Sequence, residues 1–121
     1  MNAKKTLVLG ASENPQRYSY LAVQKLISHN HPVVAIGKKA GMVKGIVIST
    51  SKEDHHNIDT VTLYLNPDNQ KPYYDYIIGL HPQRIIFNPG TENRELSALA
   101  KKNGIETLEA CTLVMLSTGQ Y

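Results

Sequence analysis

A short turn of small residues follows the first apolar run of the chain and precedes a helix-start pattern. Leu7-Val8-Leu9 is followed by Gly10-Ala11-Ser12, and Asn14 with Pro15 is typical of a helix N-terminus. Main-chain N–H groups at such a turn, together with the helix dipole, favour a bound phosphate. Arg17, in the expected first helical turn, adds a cation that a bound anion would explain. The alternative is a tight turn without a ligand and a solvent-facing arginine.

The turn does not complete either of two common phosphate-binding fingerprints. In the dinucleotide pattern G-x-G-x-x-G, Ser12 stands in the place of the second glycine and Pro15 in the place of the third. No Gly-Lys-Ser/Thr follows a predicted strand, so the P-loop pattern is absent from the sequence as well. The turn therefore indicates an anionic ligand without identifying it.

Two neighbouring lysines, Lys38 and Lys39, follow the second predicted strand. An enzyme that selects NAD normally places an Asp or Glu at this point, on the ribose hydroxyls. Lysines at the same place favour a phosphorylated ribose. A solvated basic loop is the alternative, because surface lysines are common.

Short polar side chains and constrained turns follow the next two strands. Asn66-Pro67 ends one of them, and Asn88-Pro89-Gly90 ends the other. Because the ends of parallel strands meet at one sheet edge, these residues are expected to line a cleft there with the glycine turn. The alternative is that Asn and Pro are ordinary turn residues.

The five histidines and the single cysteine do not form a recognisable metal or catalytic set. No pair of histidines has the helical i,i+4 spacing of a zinc site, and the neighbours His55 and His56 lie in a polar loop. Cys111 would be a nucleophile only if it were exposed and paired with a base, and its apolar surroundings favour a buried thiol. We therefore expect no metal and assign no catalytic residue.

Length, composition and charge limit the class of protein. The chain has 121 residues, 41% of them hydrophobic and 19% charged, which predicts one globular domain over residues 1–121. A single cysteine and the lack of a long apolar segment predict a cytoplasmic protein without a membrane anchor. The net charge of +3 suits an anionic ligand and is too small to indicate nucleic acid.

The elements that must position these residues alternate between strand and helix. This alternation predicts an α/β fold: a doubly wound, mostly parallel, five-stranded Rossmann-like sheet with helices on both faces. Two features are left open: residues 46–48 as a short strand or edge segment, and residues 111–116 as helix or extended chain. The predicted strands are 7–9, 33–36, 60–65, 84–87 and 105–108, and the predicted helices are 15–28, 68–79 and one between an N-cap at Thr91 and a stop at Gly104.

Four segments in order resemble the CoA-binding domain family, small Rossmann-like proteins similar to the N-terminal domain of the succinyl-CoA synthetase α subunit. The segments are residues 7–17, the loop after Ile36, Ile86-Phe87-Asn88-Pro89-Gly90-Thr91-Glu92-Asn93, and the stretch from Gly104 to Cys111. The resemblance implies a CoA pyrophosphate over the turn at residues 10–12.

The resemblance also assigns places to the other candidate residues. Arg17 would lie near the pyrophosphate, and Lys38 or Lys39 near the 3′-phosphate of the ribose. The crevice wall along the rest of the cofactor would be formed by Asn66, Pro67, Asn88 and Pro89. The synthetase's second domain, which carries a phosphorylated histidine, has no counterpart here, so ligase activity is not implied.

Together these patterns predict a non-catalytic module that binds coenzyme A, an acyl-CoA or a similar phosphorylated nucleotide. NADP is the lesser cofactor candidate. Two other functions stay open at this point: a small NAD(P)-linked oxidoreductase or a ligase subunit that needs a partner chain, and an interaction protein with a vestigial site. The expected partner is a small molecule, with a protein partner open and neither a membrane nor nucleic acid expected.

Overall fold

A computed structural model describes residues 3–121 and contains seven strands and five helices in that range. The strands are β1 (Thr6–Leu9), β2 (Val33–Ile36), β3 (Gly41–Val43), β4 (Ile46–Ser49), β5 (Thr60–Leu63), β6 (Arg84–Phe87) and β7 (Glu106–Glu109). The helices are α1 (Tyr18–Ser28), α2 (Pro67–Gln70), α3 (Tyr74–Leu80), α4 (Arg94–Lys102) and α5 (Thr112–Ser117), with a 3-10 turn (Lys71–Tyr73) between α2 and α3.

The seven strands form one sheet in the order β3-β4-β2-β1-β5-β6-β7. All neighbouring pairs are parallel except the hairpin of β3 and β4. The chain leaves β1 towards β2 on one side and later adds β5 on the other. The strand order therefore reverses between β1 and β5, which is where ligands bind in open α/β sheets.

Two hydrophobic cores cover the two faces of the sheet. Leu7 and Leu9 of β1 point to one face, where they join Ile77 of α3 and Leu96 of α4. Val8 between them points to the other face and its core with α1 and α5. All four residues of β1 are buried, as expected for a central strand with helices on both sides.

The sheet corrects the predicted strand count from five to seven. Residues 46–48 belong to a true strand, and Gly41–Val43, which is absent from the predicted strands, pairs antiparallel with it. The opposed Met42 and Val47 are exposed, so this edge hairpin lacks the continuous apolar pattern that marks the central strands.

Two predicted helix starts are wrong. α1 begins at Tyr18 rather than Pro15, because Asn14 forms a local turn in which its Oδ1 accepts from the N–H of Gln16 at 3.0 Å. The N-cap of α4 is Asn93, whose Oδ1 accepts from Leu96 N at 3.1 Å, and not Thr91.

The predicted end of α4 is confirmed, and the last segment is resolved as helical. Gly104 has φ +74°, and its N–H donates to the carbonyl oxygen of Lys101 just after the helix. Residues Thr112–Ser117, which the sequence left open between helix and extended chain, form α5.

Candidate functional site

A cleft of about 810 Å³ opens at the carboxyl edge of the sheet, where the strand order reverses. Its walls are the loops that follow β1, β2, β5 and β6, together with the first residues of α1. This volume lies within the range of small-molecule and cofactor sites. The residues that line it are Gly10, Ala11, Ser12, Glu13, Asn14, Arg17, Tyr18, Ser19, Lys38, Lys39, Ala40, Tyr64, Leu65, Asn66, Asn69, Pro89, Gly90 and Thr91.

Most of the candidate residues from the sequence lie together in this cleft. The loop after β1, Arg17, both lysines, Asn66 and Pro89-Gly90 all line it, although they are far apart in the chain. Two candidates do not line it. Pro67 is the first residue of α2, and Asn88 is buried beneath the cleft.

The turn after β1 is fixed by contacts to both neighbouring strands. The N–H groups of Gly10 and Ala11 both donate to the carbonyl oxygen of Ile36, at 2.8 and 2.9 Å. Gly10 has φ +98°, and a Cβ there would lie 2.9 Å from the main-chain carbon of Tyr64. The turn is therefore held by β2 and β5, and glycine is required at its first position.

These bonds change which donors can face a ligand. The sequence favoured the whole Gly10-Ala11-Ser12 turn, yet two of its N–H groups are occupied by Ile36. Within residues 3–121, the main-chain N–H groups of Ser12 and Glu13 have no acceptor. The donors available for an anion therefore begin at Ser12.

The N-terminus of α1 supplies further donors on the same side of the cleft. The N–H groups of Tyr18 and Ser19 have no acceptor in the part of the chain that the structure describes. Arg17 occupies the N-cap position in extended conformation, and its side chain makes no cap hydrogen bond. The helix dipole and the guanidinium therefore both favour a negative charge at this point.

Lys38 and Lys39 bring two more cations to the cleft. Both are exposed, and neither side chain makes a hydrogen bond or an ion pair within residues 3–121. The nearby carboxylate of Glu13 instead accepts from the main-chain N–H of Met42 at 3.2 Å. The cleft thus combines three cationic side chains with one carboxylate fixed to the β3–β4 hairpin.

The opposite wall is formed by the loops after β5 and β6. Asn66 caps α2, and its Oδ1 accepts from the N–H of Asn69 at 2.9 Å. Asn69 itself lines the cleft, and Pro89-Gly90 faces it from the next loop. This wall carries amide and main-chain groups without a formal charge.

Asn88 supports the cleft from below and does not form its wall. It is 2% exposed, and its Nδ2 donates to Thr62 Oγ1 at 2.7 Å and to the carbonyl oxygen of Leu63 at 2.9 Å. Its Oδ1 accepts from the N–H of Thr112 at 2.9 Å. These three bonds join β5, β6 and α5. Asn88, predicted to form the crevice wall, therefore has a structural role beneath the cleft.

Tyr64 and Cys111 lie near each other at the edge of this network. The Tyr64 hydroxyl is buried without a hydrogen-bond partner among the described residues, and burial raises the pKa of Tyr64. Cys111 is half-buried, immediately before α5. A tyrosine with its ordinary pKa of 10 is already protonated near neutral pH, and the upward shift of the pKa makes Tyr64 a still poorer general base.

Several cleft residues were not among the sequence-derived candidates. Glu13, Tyr18 and Ser19 lie close in sequence to Arg17 at the predicted helix start. That closeness could have identified them as cleft residues. Asn69 and Thr91 follow the Asn-Pro turns by only a few residues, but their orientation depends on contacts with other loops. In residues 3–121, no group of three or more His, Cys, Asp or Glu side chains could hold a metal ion, and no helix is long and apolar enough to cross a membrane.

Comparisons with known proteins agree with this architecture. The sequence profile of a family described as a CoA binding domain matches residues 4–117. No curated protein matches the sequence. A solved structure described as an uncharacterized protein is 50% identical, with a TM-score of 0.97 and coverage of 100% of both chains.

Two more distant structures share the fold. A hypothetical protein from Pyrococcus horikoshii OT3 is 24% identical, with a TM-score of 0.88 and coverage of 97% of this chain and 84% of that chain. A protein from Thermus thermophilus is 19% identical, with a TM-score of 0.86 and coverage of 98% of this chain and 91% of that chain. At these identities the likeness shows the α/β Rossmann-like fold.

Proposed function

This chain belongs to the CoA-binding domain family, and we propose that it is a non-catalytic module that binds coenzyme A or an acyl-CoA in the cleft at the carboxyl edge of its sheet. The observation that carries the proposal is the convergence of unpaired main-chain donors and three cations on one side of that cleft. A pyrophosphate and a ribose phosphate are the groups that such a wall would bind.

In this proposal the pyrophosphate lies over the loop after β1. The N–H groups of Ser12 and Glu13 donate to it, and those of Tyr18 and Ser19 lie at the adjacent helix N-terminus. Arg17 provides the opposite charge at the same point. Gly10 and Ala11 shape the turn and leave the phosphate contacts to the residues that follow them.

The 3′-phosphate of the ribose is assigned to Lys38 and Lys39, at the end of β2. Tyr18 is 72% exposed at the edge of the cleft, where its ring can stack on the adenine base. The uncharged wall of Asn66, Asn69 and Pro89-Gly90 suits the amide-rich remainder of CoA, which has no formal charge.

The test is a calorimetric titration of the protein with CoA, dephospho-CoA, NAD and NADP at one fixed salt concentration. Micromolar binding of CoA, weakened when the 3′-phosphate is missing, is the expected result. Binding of NADP in preference to CoA would instead favour a nicotinamide enzyme. Failure of all four ligands to bind would overturn the proposal.

Two variants locate the site. A Lys38→Ala/Lys39→Ala double variant is expected to lose most of the preference for CoA over dephospho-CoA, and Ser12→Glu is expected to weaken both by charge repulsion. The matched control is Lys101→Ala/Lys102→Ala, which removes the same charge from neighbouring lysines in the last turn of α4. If the two double variants behaved alike, general attraction by net charge would explain the result and the assignment of Lys38 and Lys39 would be wrong.

A further inference from the structure

A fully buried glutamine lies behind the uncharged wall of the cleft. Gln70 is the last residue of α2 and has 0% exposure. Its Nε2 donates to the carbonyl oxygens of Leu65 and Thr91, both at 2.8 Å. Leu65 follows β5 and Thr91 follows β6, so a single amide group joins the two loops that form this wall.

The acceptor side of the same amide is also occupied. Gln70 Oε1 accepts from Asn93 Nδ2 at 2.9 Å, and that nitrogen also donates to the hydroxyl of Tyr74 at 2.8 Å. Asn93 in turn caps α4 through its Oδ1. The network therefore ties the β5 loop, the β6 loop, α3 and the start of α4 to one side chain.

The loops joined in this way carry residues that line the cleft. Leu65 and Thr91, whose carbonyl oxygens accept from Gln70, both line it, and Asn69 lies directly before Gln70 in α2. Asn69 and Gln70 are adjacent, so the single turn of α2 presents one to the cleft and the other to the interior. The position of this wall consequently depends on a residue that does not reach the cleft.

Neither a carboxylate nor an apolar side chain at position 70 would preserve this arrangement. A buried carbonyl oxygen that loses its donor remains desolvated and unsatisfied, which costs more than an average hydrogen bond. A carboxylate at position 70 would accept but could not donate to Leu65 and Thr91. A methionine would fill the space and make neither bond.

We propose that Gln70 is the positioning residue that fixes the spacing of the β5 and β6 loops and thereby sets the width of the ligand cleft. The inference rests on the proposed function for its ligand and on the hydrogen bonds of Gln70 for its mechanism. Gln70 acts through Leu65, Asn69 and Thr91, and does not touch the ligand.

The experiment compares Gln70→Glu and Gln70→Met with Gln83→Glu and Gln83→Met. Gln83 is exposed, and its side chain makes no hydrogen bond within residues 3–121, so it controls for charge and composition. Hydrogen exchange is measured at the N–H groups of Asn69 and Thr91, with that of Gly10 as the reference across the cleft. CoA and dephospho-CoA are then titrated into each variant.

Both Gln70 variants are expected to speed exchange at Asn69 and Thr91 by about tenfold relative to Gly10, the equivalent of one lost buried hydrogen bond to each of the two loops. They are expected to weaken CoA and dephospho-CoA equally, because the lysines that distinguish the two ligands lie on the other wall. The Gln83 variants are expected to match the wild type. Gln70→Met introduces no charge and decides the comparison if Gln70→Glu does not fold.

The outcomes separate this inference from the proposed function. Absence of CoA binding in the wild type overturns the proposed function, and this inference with it. Wild-type binding together with unchanged affinity in Gln70→Met overturns this inference alone. A selective loss of the preference for CoA over dephospho-CoA would also overturn it, because that result would place Gln70 in the phosphate contacts.

Discussion

Gly37 and Ala11 are packed so closely that a Cβ on Gly37 would lie within 3.0 Å of the carbonyl oxygen of Ala11. Gly37 directly follows β2, and Ala11 belongs to the turn after β1. The same two segments are joined by the bonds from Gly10 and Ala11 to Ile36. The shape of the loop that we propose to bind an anion is therefore set by the neighbouring strand as well as by its own residues.

Gly37→Ala is expected to lower the free energy of unfolding by about 1–3 kcal/mol, because the new methyl group must displace main-chain atoms. It is also expected to weaken CoA binding, since the displaced residue lies in the proposed phosphate turn. Gly79→Ala is the control: apart from its chain neighbours and the backbone of its own helix, no atom lies within 4 Å of its Cβ position, and alanine in a helix is more stable than glycine by about 0.5–1 kcal/mol. Urea unfolding and CoA titration of both variants check the prediction, and equal stabilities would contradict it.

Asn93→Ala is expected to cost about 2 kcal/mol, from the loss of the α4 cap and of the amide bonds to Gln70 and Tyr74. The matched change at the other end of α4, Asn103→Ala, removes an exposed bond to the carbonyl oxygen of Leu99 and is expected to cost less than about 0.5 kcal/mol. Chemical denaturation measures both. A loss of stability in Asn103→Ala as large as that in Asn93→Ala would contradict the prediction.

Tyr64→Phe and Tyr121→Phe are expected to differ although both remove a largely buried hydroxyl. The Tyr121 hydroxyl lies 2.6 Å from Thr6 Oγ1, so its removal breaks a hydrogen bond and costs about 1 kcal/mol. The Tyr64 hydroxyl has no partner among residues 3–121, so its removal is expected to be neutral or stabilising. Thermal unfolding of the two variants decides, and a similar loss in both would refute the distinction.

His31 is expected to make stability depend on pH. Burial lowers the pKa of His31 below its ordinary value of 6.5, and the nearby charge of Lys4 acts in the same direction. Its Nδ1 also accepts from the main-chain N–H of Lys4 at 2.9 Å, which requires that nitrogen to be unprotonated. The unfolded chain therefore binds the proton more readily. The contribution of His31 to stability is complete above pH 6.5 and is lost as the pH falls towards its folded pKa.

His31→Asn tests this dependence, because an amide oxygen can accept from Lys4 without titrating. The free energy of unfolding is measured from pH 8 to pH 5 for the wild type, for His31→Asn and for the exposed control His56→Asn. The His31 variant is expected to decline less below pH 6.5 than the other two. Parallel curves for all three proteins would show that His31 does not contribute.

Local patterns in the sequence determined the central part of the fold. Leu7-Val8-Leu9, Val33–Ile36 and Ile85-Ile86-Phe87 lie in strands of the structure, as continuous apolar runs of this length predict. The first and third of these runs are fully buried, which agrees with helices on both faces of the sheet. The alternation of these strands with helices in the sequence predicts a parallel sheet. In such a sheet the glycine turn and the two lysines lie at the same edge. The family resemblance is confirmed by the match over residues 4–117.

The hairpin of β3 and β4 could not be predicted with the same rules. Gly41–Val43 is three residues long, has one exposed face and is paired only at the edge of the sheet. Its position is fixed in part by Glu13, which lies 29 residues earlier in the chain. Neither its length nor its composition distinguishes it from a loop.

The tertiary structure also decided which polar groups face the cleft. The sequence places Asn66 and Asn88 in equivalent turns, yet only Asn66 lines the cleft. Asn88 is buried and makes three hydrogen bonds to β5 and α5. Gln70 carried no signal in the sequence, because its partners Leu65, Thr91 and Asn93 are brought to it only when the β5 and β6 loops are side by side. Residue type fixes what a group can donate or accept. Packing between distant segments decides whether that capacity is used inside the protein or left for a ligand.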